Sequence, residues 1–326
     1  MTPEPSEKQP HKDKYRQEMV NILKFNPIFK PTLWGSETWA VSAVKGSESI
    51  ATNGPDKGLT LPEIVCRYGA DFLGKKNAEK FGTDFPLLIK FIDARQDLSI
   101  QVHPDDALSA KRHGKMGKNE MWYVVDADRG SQLIAGFRQK IELGDYAQKV
   151  ADGSIEDDLN KVNVSEGDCF YIPAGRVHGI GAGMVIAEIQ QTSDVTYRIY
   201  DYLRRDRDGN LRELHTELAL EAINFLDITT DPKVNYTESR DAVVSLVECP
   251  FFNTNELKLT KPFRRDYAGI DSFRVYMCLS GQCCFLSPDG QGIFLHQGEA
   301  LVVPASMQEV TILPDEGAKL LESYVE

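Results

Sequence analysis

Two histidines, a glutamate and a glutamine in the first two thirds of this sequence have the types and spacing of metal ligands. Residues two apart in a strand share a face, so Gln101 and His103 of SIQVHPD point together, and Lys118 and Glu120 of GKNEMWYV do the same if their strand begins early enough. His178 follows a tight Pro-Ala-Gly turn. Two imidazoles, a carboxylate and an amide oxygen suit zinc, with manganese or iron as other occupants, and leave a position open for water or substrate.

The simplest alternative is that His103 and His178 only make structural hydrogen bonds. The pattern favours ligands, because both lie in strand and turn settings that can converge. The remaining four histidines fall in polar or loop contexts, without a carboxylate at strand parity: His11, His113, His215 and His296.

Short runs rich in β-branched and aromatic residues must position these side chains. From about residue 86 such runs alternate with Gly, Asp and Pro, which predicts antiparallel strands in a sandwich or barrel. Helices are fewer. The capping box Thr60-x-x-Glu63 predicts one helix, a four-residue recurrence from Leu214 to Leu226 predicts a second over 214–226, and residues 142–161 predict one or two short inserted helices.

A short internal echo predicts two β units. Gly167-Asp-Cys-Phe-Tyr-Ile-Pro-Ala has the same layout as Gly298-Glu-Ala-Leu-Val-Val-Pro-Ala, and His178 of the first copy corresponds to Glu309 in the second. The chemistry is therefore expected in the first unit. We expect a polar N-terminal segment that is either disordered or helical (1–24), a metal-binding unit (25–236) and a C-terminal β unit without metal ligands (237–326).

Composition excludes several classes of protein. The 326 residues carry 37 Lys plus Arg against 49 Asp plus Glu, a net charge of −12 that disfavours nucleic acid as a partner but permits a small anionic substrate. The sequence offers no secretory signal and no apolar stretch long enough for a membrane span, which predicts a cytoplasmic protein. The six cysteines are scattered mostly in apolar runs, which favours reduced, buried thiols.

The motifs carry a family resemblance. Gly167-x5-Pro173-x-Gly175-x2-His178 resembles the second motif of the cupin superfamily, whereas the first motif is altered to Gln101-x-His103 with a sixteen-residue gap before Glu120. Together with LSIQVHPDD, KNEMWYV, YIPAGRVHGIGAG, the SDVTYRIYDY segment and LWGSETW, this variant resembles type I mannose-6-phosphate isomerases of the short bacterial form, from about residue 25 onward. The resemblance implies a mainly β fold of two cupin-type jelly-roll barrels with a few inserted α-helices.

The resemblance also implies roles for individual positions. Gln101, His103, Glu120 and His178 match the ligands of one zinc ion. Arg198 matches an active-site arginine, Lys118 a lysine of the same pocket, and Glu188 a carboxylate proposed as an acid/base group. The expected phosphate contacts are Ser99 and Arg204, and Arg205 could substitute for Arg204.

These matches imply an aldose-ketose isomerase that interconverts mannose 6-phosphate and fructose 6-phosphate through an enediol(ate). Glu188 is the first candidate for the general base and Lys118 the second. The alternative is a non-catalytic sugar-binding or regulatory double cupin, and a third possibility is an iron-dependent cupin dioxygenase. The sequence is compatible with a monomer or a homodimer.

Overall fold

The structure, a computed structural model, describes residues 20–205, 208–228 and 231–326, so most of the predicted N-terminal segment lies outside the described residues. Strands dominate it. The strands of the first part are β1 (Leu23–Lys24), β2 (Ile28–Pro31), β3 (Gly35–Val41), β4 (Ala43–Val44), β5 (Ser47–Glu48), β6 (Leu87–Ala94), β7 (Ile100–Val102), β8 (Glu120–Ala127), β9 (Gln132–Phe137), β10 (Leu159–Asn163), β11 (Cys169–Ile172), β12 (His178–Ile180), β13 (Met184–Gln191) and β14 (Tyr197–Tyr200).

Helices occupy the connections, and a second set of strands follows them. The helices are α1 (Leu61–Tyr68), α2 (Ala70–Leu73), α3 (Lys75–Phe81), α4 (Asp106–His113), α5 (Leu143–Asp152) and α6 (Thr216–Ala222), with a 3₁₀-helix at Ser154–Asp158. The later strands are β15 (Val243–Glu248), β16 (Asn253–Leu259), β17 (Phe263–Asp266), β18 (Arg274–Leu286), β19 (Gly292–His296), β20 (Ala300–Val303) and β21 (Glu309–Tyr324).

The N-terminal unit consists of two antiparallel sheets. One has the order β11-β8-β13-β6-β3-β2 and the other the order β10-β9-β12-β7-β14. Side chains alternate across the strands: Ile92 and Trp122 belong to one buried cluster, whereas Ile89 and Tyr123 on the opposite faces belong to another. The cupin-like, mainly β fold predicted from the sequence is confirmed.

Two of the three helix predictions are confirmed, and the third is wrong in its extent. Helix α1 begins with the expected capping box between Thr60 and Glu63, and the 142–161 segment contains α5 and the 3₁₀-helix. Helix α6 covers only 216–222. It buries Ala219 rather than the leucine stripe, and Leu218 is 39% exposed. A small residue on the buried face lets the helix lie close to β14, so the leucines face outward.

The C-terminal unit is one eight-stranded sheet that curls around its own apolar core. A larger apolar cluster joins the two units, with residues from the six-stranded sheet, α1, α2 and the C-terminal strands. The first described strand crosses between them. In β1, Leu23 pairs with Val302 and Lys24 with Leu301 of β20, and Lys24 Nζ forms an ion pair with Glu299 at 2.6 Å.

The internal echo coincides with equivalent strands of the two units. Gly167 and Gly298 both adopt positive φ, and the strands β11 and β20 follow them. Ile172 of β11 pairs with Glu120, and its counterpart Val303 pairs with Arg274. The second unit therefore has a guanidinium where the first has a carboxylate. Arg274 is fully buried and donates to backbone carbonyl groups.

The same alignment of the two units also matches two acidic residues, Glu188 and Glu322. Glu188 of β13 pairs with Trp122, which lies two residues after Glu120, and Glu322 of β21 pairs with Tyr276, which lies two residues after Arg274. In each unit the aromatic residue donates a hydrogen bond to the carboxylate.

All six cysteines are free thiols, as predicted, but only Cys169, Cys278 and Cys283 are buried; Cys249 and Cys284 are half-buried and Cys66 is exposed. Among the described residues, no helix combines the length and apolar character needed to cross a membrane.

Candidate metal centre and active-site cavity

Three predicted ligands converge inside the N-terminal unit. His103 follows β7 and His178 begins β12, both in the five-stranded sheet, whereas Glu120 begins β8 in the six-stranded sheet. The two facing sheets therefore both contribute ligands. His103 Nε2 lies 3.1 Å from His178 Nε2 and 3.4 Å from Glu120 Oε2, and His178 Nε2 lies 3.4 Å from Glu120 Oε1. All three side chains are buried.

Backbone carbonyl groups hold both imidazoles in one orientation. His103 Nδ1 lies 3.1 Å from the carbonyl oxygen of Val195, and His178 Nδ1 lies 2.8 Å from that of Arg176. Each Nδ1 must carry the proton to donate these bonds, so each Nε2 presents a lone pair to the centre of the cluster. Two acceptor nitrogens 3.1 Å apart repel each other unless a cation lies between them.

The donor set fits a divalent metal ion. Ligand atoms at about 2.0 to 2.2 Å from a tetrahedral zinc lie roughly 3.3 to 3.6 Å apart, which is close to the three separations of the cluster. Neither oxygen of Glu120 accepts a well-aligned hydrogen bond from the described residues. The ammonium of Lys118 lies 2.7 Å from Glu120 Oε2 and 2.8 Å from His103 Nε2, so the cluster already attracts a positive charge.

The protonation states also suit a metal. Burial, followed by the charge of Lys118, lowers the pKa of His103 from 6.5 to about 3, and burial lowers that of His178 to about 4. Burial by itself would raise the pKa of Glu120, but the positive charge of Lys118 and the contact with His103 hold it well below its usual range. At neutral pH the cluster is therefore two neutral imidazoles and one carboxylate.

A cavity of about 870 Å³ lies beside this cluster. Of the predicted site residues, its lining includes Ser99, Gln101, Lys118, Glu188 and Arg198. Gln101 pairs with His178 on one side and with Arg198 on the other, so these three residues form one row across β12, β7 and β14. Adjacent strands are about 4.8 Å apart, which puts Arg198 roughly 10 Å from the histidine along this row.

Glu188 lies in the opposite wall of the cavity. Its Oε2 accepts a hydrogen bond from Trp122 Nε1 at 3.0 Å, and its Oε1 lies 3.0 Å from Lys90 Nζ. Burial and the nearby charge of Glu120 raise the pKa of Glu188, and Lys90 opposes this shift.

Lys90 and Glu37 were missed by the sequence reasoning. Lys90 Nζ also lies 3.6 Å from Glu37 Oε2, and both residues line the cavity. The signal for Lys90 was present, since it is the only charged residue in the apolar run PLLIKFI and shares a strand face with the core residue Ile92.

Of the two predicted phosphate contacts, only one lines the cavity. Ser99 lines the cavity, but Arg204 is not part of its lining. The guanidinium of Arg204 bonds to the Asp201 carboxylate and to the carbonyl oxygen of Asp97. Arg212, which the sequence reasoning did not consider, lines the cavity next to Arg198.

The fold and site define a class of protein, a double cupin-like β protein with a buried His-Glu-His group that could bind a metal. Comparisons with known proteins narrow this class. The sequence profile of the family described as "Phosphomannose isomerase type I, catalytic domain" matches residues 23–136. Mannose-6-phosphate isomerase ManA of Bacillus subtilis is 36% identical over 269 residues, which cover 74% of this chain and 83% of the relative.

Two further similarities extend over more of the chain. The probable mannose-6-phosphate isomerase GmuF of Bacillus subtilis is 33% identical over 322 residues, covering 90% of this chain and 96% of the relative. A solved structure of mannose 6-phosphate isomerase from Bacillus subtilis aligns with a TM-score of 0.84 at 28% identity and covers 94% of this chain and 100% of that one. The chain belongs to the type I mannose-6-phosphate isomerase family and is an enzyme of that family, which confirms the resemblance seen in the sequence.

Proposed function

We propose that this protein is a zinc-dependent aldose-ketose isomerase that interconverts mannose 6-phosphate and fructose 6-phosphate. The observation that carries the proposal is the His103-Glu120-His178 cluster beside a cavity that also contains Glu188 and Arg198. Family membership gives the reaction type, and the cavity volume of about 870 Å³ is ample for a hexose phosphate.

The proposed metal ligands are His103, Glu120 and His178, with Gln101 as a fourth. Two nitrogens and a carboxylate oxygen form a donor set that zinc commonly accepts. A bound zinc ion acts as a Lewis acid that stabilises negative charge on the sugar oxygens during isomerisation, a contribution of several kcal/mol.

Glu188 is the proposed group that moves a proton between C2 and C1 of the sugar through an enediol(ate). Its raised pKa makes it a better proton acceptor than an ordinary carboxylate, and the bonds from Lys90 and Trp122 fix its direction. A positioned general base contributes about 10² to 10⁴ in rate. Lys118 remains the second candidate, because its ammonium contacts the metal ligands and lines the same cavity.

Arg198 is proposed to supply fixed positive charge to the substrate oxygens. One of its terminal nitrogens donates to the carbonyl oxygen of Glu213, and its buried Nε has no hydrogen-bond partner among the described residues. Ser99 is proposed to contact the substrate phosphate together with an arginine near the cavity, either Arg204, as the resemblance implies, or Arg212, which lines the cavity.

The test is direct. Purified protein is incubated with mannose 6-phosphate, fructose 6-phosphate is assayed, and the assay is repeated after chelation and after addition of zinc. We expect turnover that chelation abolishes and zinc restores. Saturable sugar phosphate binding without product in the zinc-loaded protein would instead indicate a binding protein, and restoration by ferrous iron but not by zinc would contradict the metal assignment.

A further inference from the structure

Two arginines pair with one buried carboxylate near the cavity, and a third arginine lies within range of their charges. Asp201, which is 4% exposed, forms ion pairs with Arg204 and Arg212, and the charges of Arg212 and Arg204 both act on Arg198. Glu213 also acts on Arg198, so two carboxylates face three guanidinium groups. This local excess of positive charge is notable in a chain whose net charge is −12.

The contacts of Arg204 leave it little capacity for a ligand. Its Nη2 bonds to the Asp201 carboxylate, its Nη1 to the carbonyl oxygen of Asp97, and its Nε to the carbonyl oxygen of Asp201. The guanidinium also lies over the ring of Tyr202, 5.4 Å from the ring centroid. All three nitrogen atoms are therefore engaged.

Arg212 is held far more loosely. Its Nη1 lies 3.3 Å and 3.5 Å from the two oxygens of Asp201, distances beyond the usual range for a charged pair. Arg212 lines the cavity together with Arg198 and Ser99. A planar guanidinium in the lining of a cavity is well suited to bidentate recognition of a phosphate.

The carboxylates of the cavity do not cancel this charge. Glu188 and Glu37 both pair with Lys90 and also feel the positive charge of Lys118, and Asp194 is paired with Lys115 at 2.5 Å. Asp208 also lines the cavity.

We propose that Arg212 is the residue that makes the enzyme prefer a phosphorylated sugar, because it binds the phosphate group directly. Asp201 acts as a positioning residue that links Arg212 to the immobilised Arg204. The inference rests on the proposed function and assigns the phosphate contact to a residue different from the one expected from the sequence.

The experiment compares Arg212→Ala with wild type on mannose 6-phosphate and on unphosphorylated mannose. Loss of a charged hydrogen-bonding partner predicts a rise in KM for the phosphorylated sugar of about tenfold to 150-fold. We expect kcat for that sugar and kcat/KM for mannose to change by less than about threefold. Arg212→Lys keeps the charge without the planar donor pair, and its KM for mannose 6-phosphate should lie between those of wild type and Arg212→Ala.

Two variants provide comparisons. Arg95→Ala removes an arginine whose side chain is 79% exposed and paired with Asp93 outside the cavity, and it should behave as wild type. Arg204→Ala tests the alternative that Arg204, rather than Arg212, binds the phosphate. Thermal unfolding midpoints establish that each variant is folded.

The inference is overturned if Arg212→Ala retains wild-type KM for mannose 6-phosphate, if it impairs mannose to the same extent, or if the KM effect appears only in Arg204→Ala. Calorimetric titration of the zinc-loaded protein with inorganic phosphate separates this inference from the proposed function. Wild-type protein that binds phosphate through Arg212 but does not isomerise mannose 6-phosphate would refute the proposed reaction and retain the phosphate site. An active wild type whose phosphate affinity is unchanged in Arg212→Ala would refute the site alone.

Discussion

Replacement of Glu188 by glutamine removes one negative charge from the cavity wall and leaves the side-chain volume nearly unchanged. The carboxylate is 3% exposed and lies 3.0 Å from both Lys90 Nζ and Trp122 Nε1. Since an amide cannot accept the migrating proton, we expect kcat to fall by about 10² to 10⁴. In the variant Lys90 still has Glu37 as an ion-pair partner at 3.6 Å. The variant should therefore lose less folding stability than the about 3–5 kcal/mol expected when a buried ion loses its only partner.

The assay measures three quantities on the same preparation. These are kcat for conversion of mannose 6-phosphate, the metal content, and the rate at which the C2 hydrogen of the substrate exchanges with deuterium from the solvent. Loss of the base slows conversion and exchange together, whereas the metal content should stay at the wild-type level because Glu188 is not part of the His-Glu-His cluster.

A matched control lies at the equivalent position of the C-terminal unit. Glu322 is fully buried and bonded to Tyr276 and Arg265, so Glu322→Gln repeats the charge loss away from the cavity. We expect it to lower the unfolding midpoint and to leave kcat of the folded protein within about twofold of wild type. If Glu188→Gln retained its metal and kcat within about threefold of wild type, the carboxylate would not be the base and Lys118 would become the leading candidate.

Four other outcomes follow from the structure. His178→Ala should lose metal and activity together, and retention of both would contradict the ligand assignment. Arg198→Ala should keep its metal and lose turnover. Metal analysis and steady-state kinetics on each variant measure both effects. In metal-free protein, unfolding exposes the imidazoles of His103 and His178, which take up protons below about pH 6.5, whereas in the folded protein burial lowers the pKa of His103 to about 3 and that of His178 to about 4. The free energy of unfolding from urea titrations should therefore fall from pH 6.5 towards pH 4, by up to about 1.4 kcal/mol per pH unit for each imidazole. Gly74→Ala would put a Cβ 2.2 Å from a backbone carbonyl oxygen, whereas Gly58 has a similar φ and a Cβ there would meet nothing within 4 Å. Gly74→Ala should therefore lower the free energy of unfolding more than Gly58→Ala. Equal losses would show that the backbone angle φ alone determines the cost.

The strand positions of the site could be predicted because side-chain parity is a local property. Alternation along SIQVHPD is enough to separate Gln101 and His103 from Ile100 and Val102, and the latter two indeed pack on the outer face of the sheet. Convergence of His103 with Glu120 and His178 depends on how two sheets face each other. Parity does not contain that information, and the family resemblance supplied it.

Loop residues and long-range ion pairs were harder to predict. Arg212 lies outside any strand or helix, so no periodicity pointed to the cavity. Arg204 was expected at the phosphate because of its place in the motif, and nothing in the sequence revealed that Asp201 and the carbonyl oxygen of Asp97 engage it. The leucine recurrence at 214–226 failed for a similar reason, since the face that α6 buries is chosen by the sheet beneath it.

The pairing of Leu23 with Val302 has a consequence for how the protein is made. A ribosome releases the first described strand long before its partner in β20 has been synthesised, so this pairing can form only after almost the whole chain is available. Closing so large a loop is slow relative to local hairpins. A nascent chain that stops short of β20 would leave Leu23 and the apolar face of the six-stranded sheet open to water, and such fragments should aggregate or be degraded rather than accumulate as active enzyme.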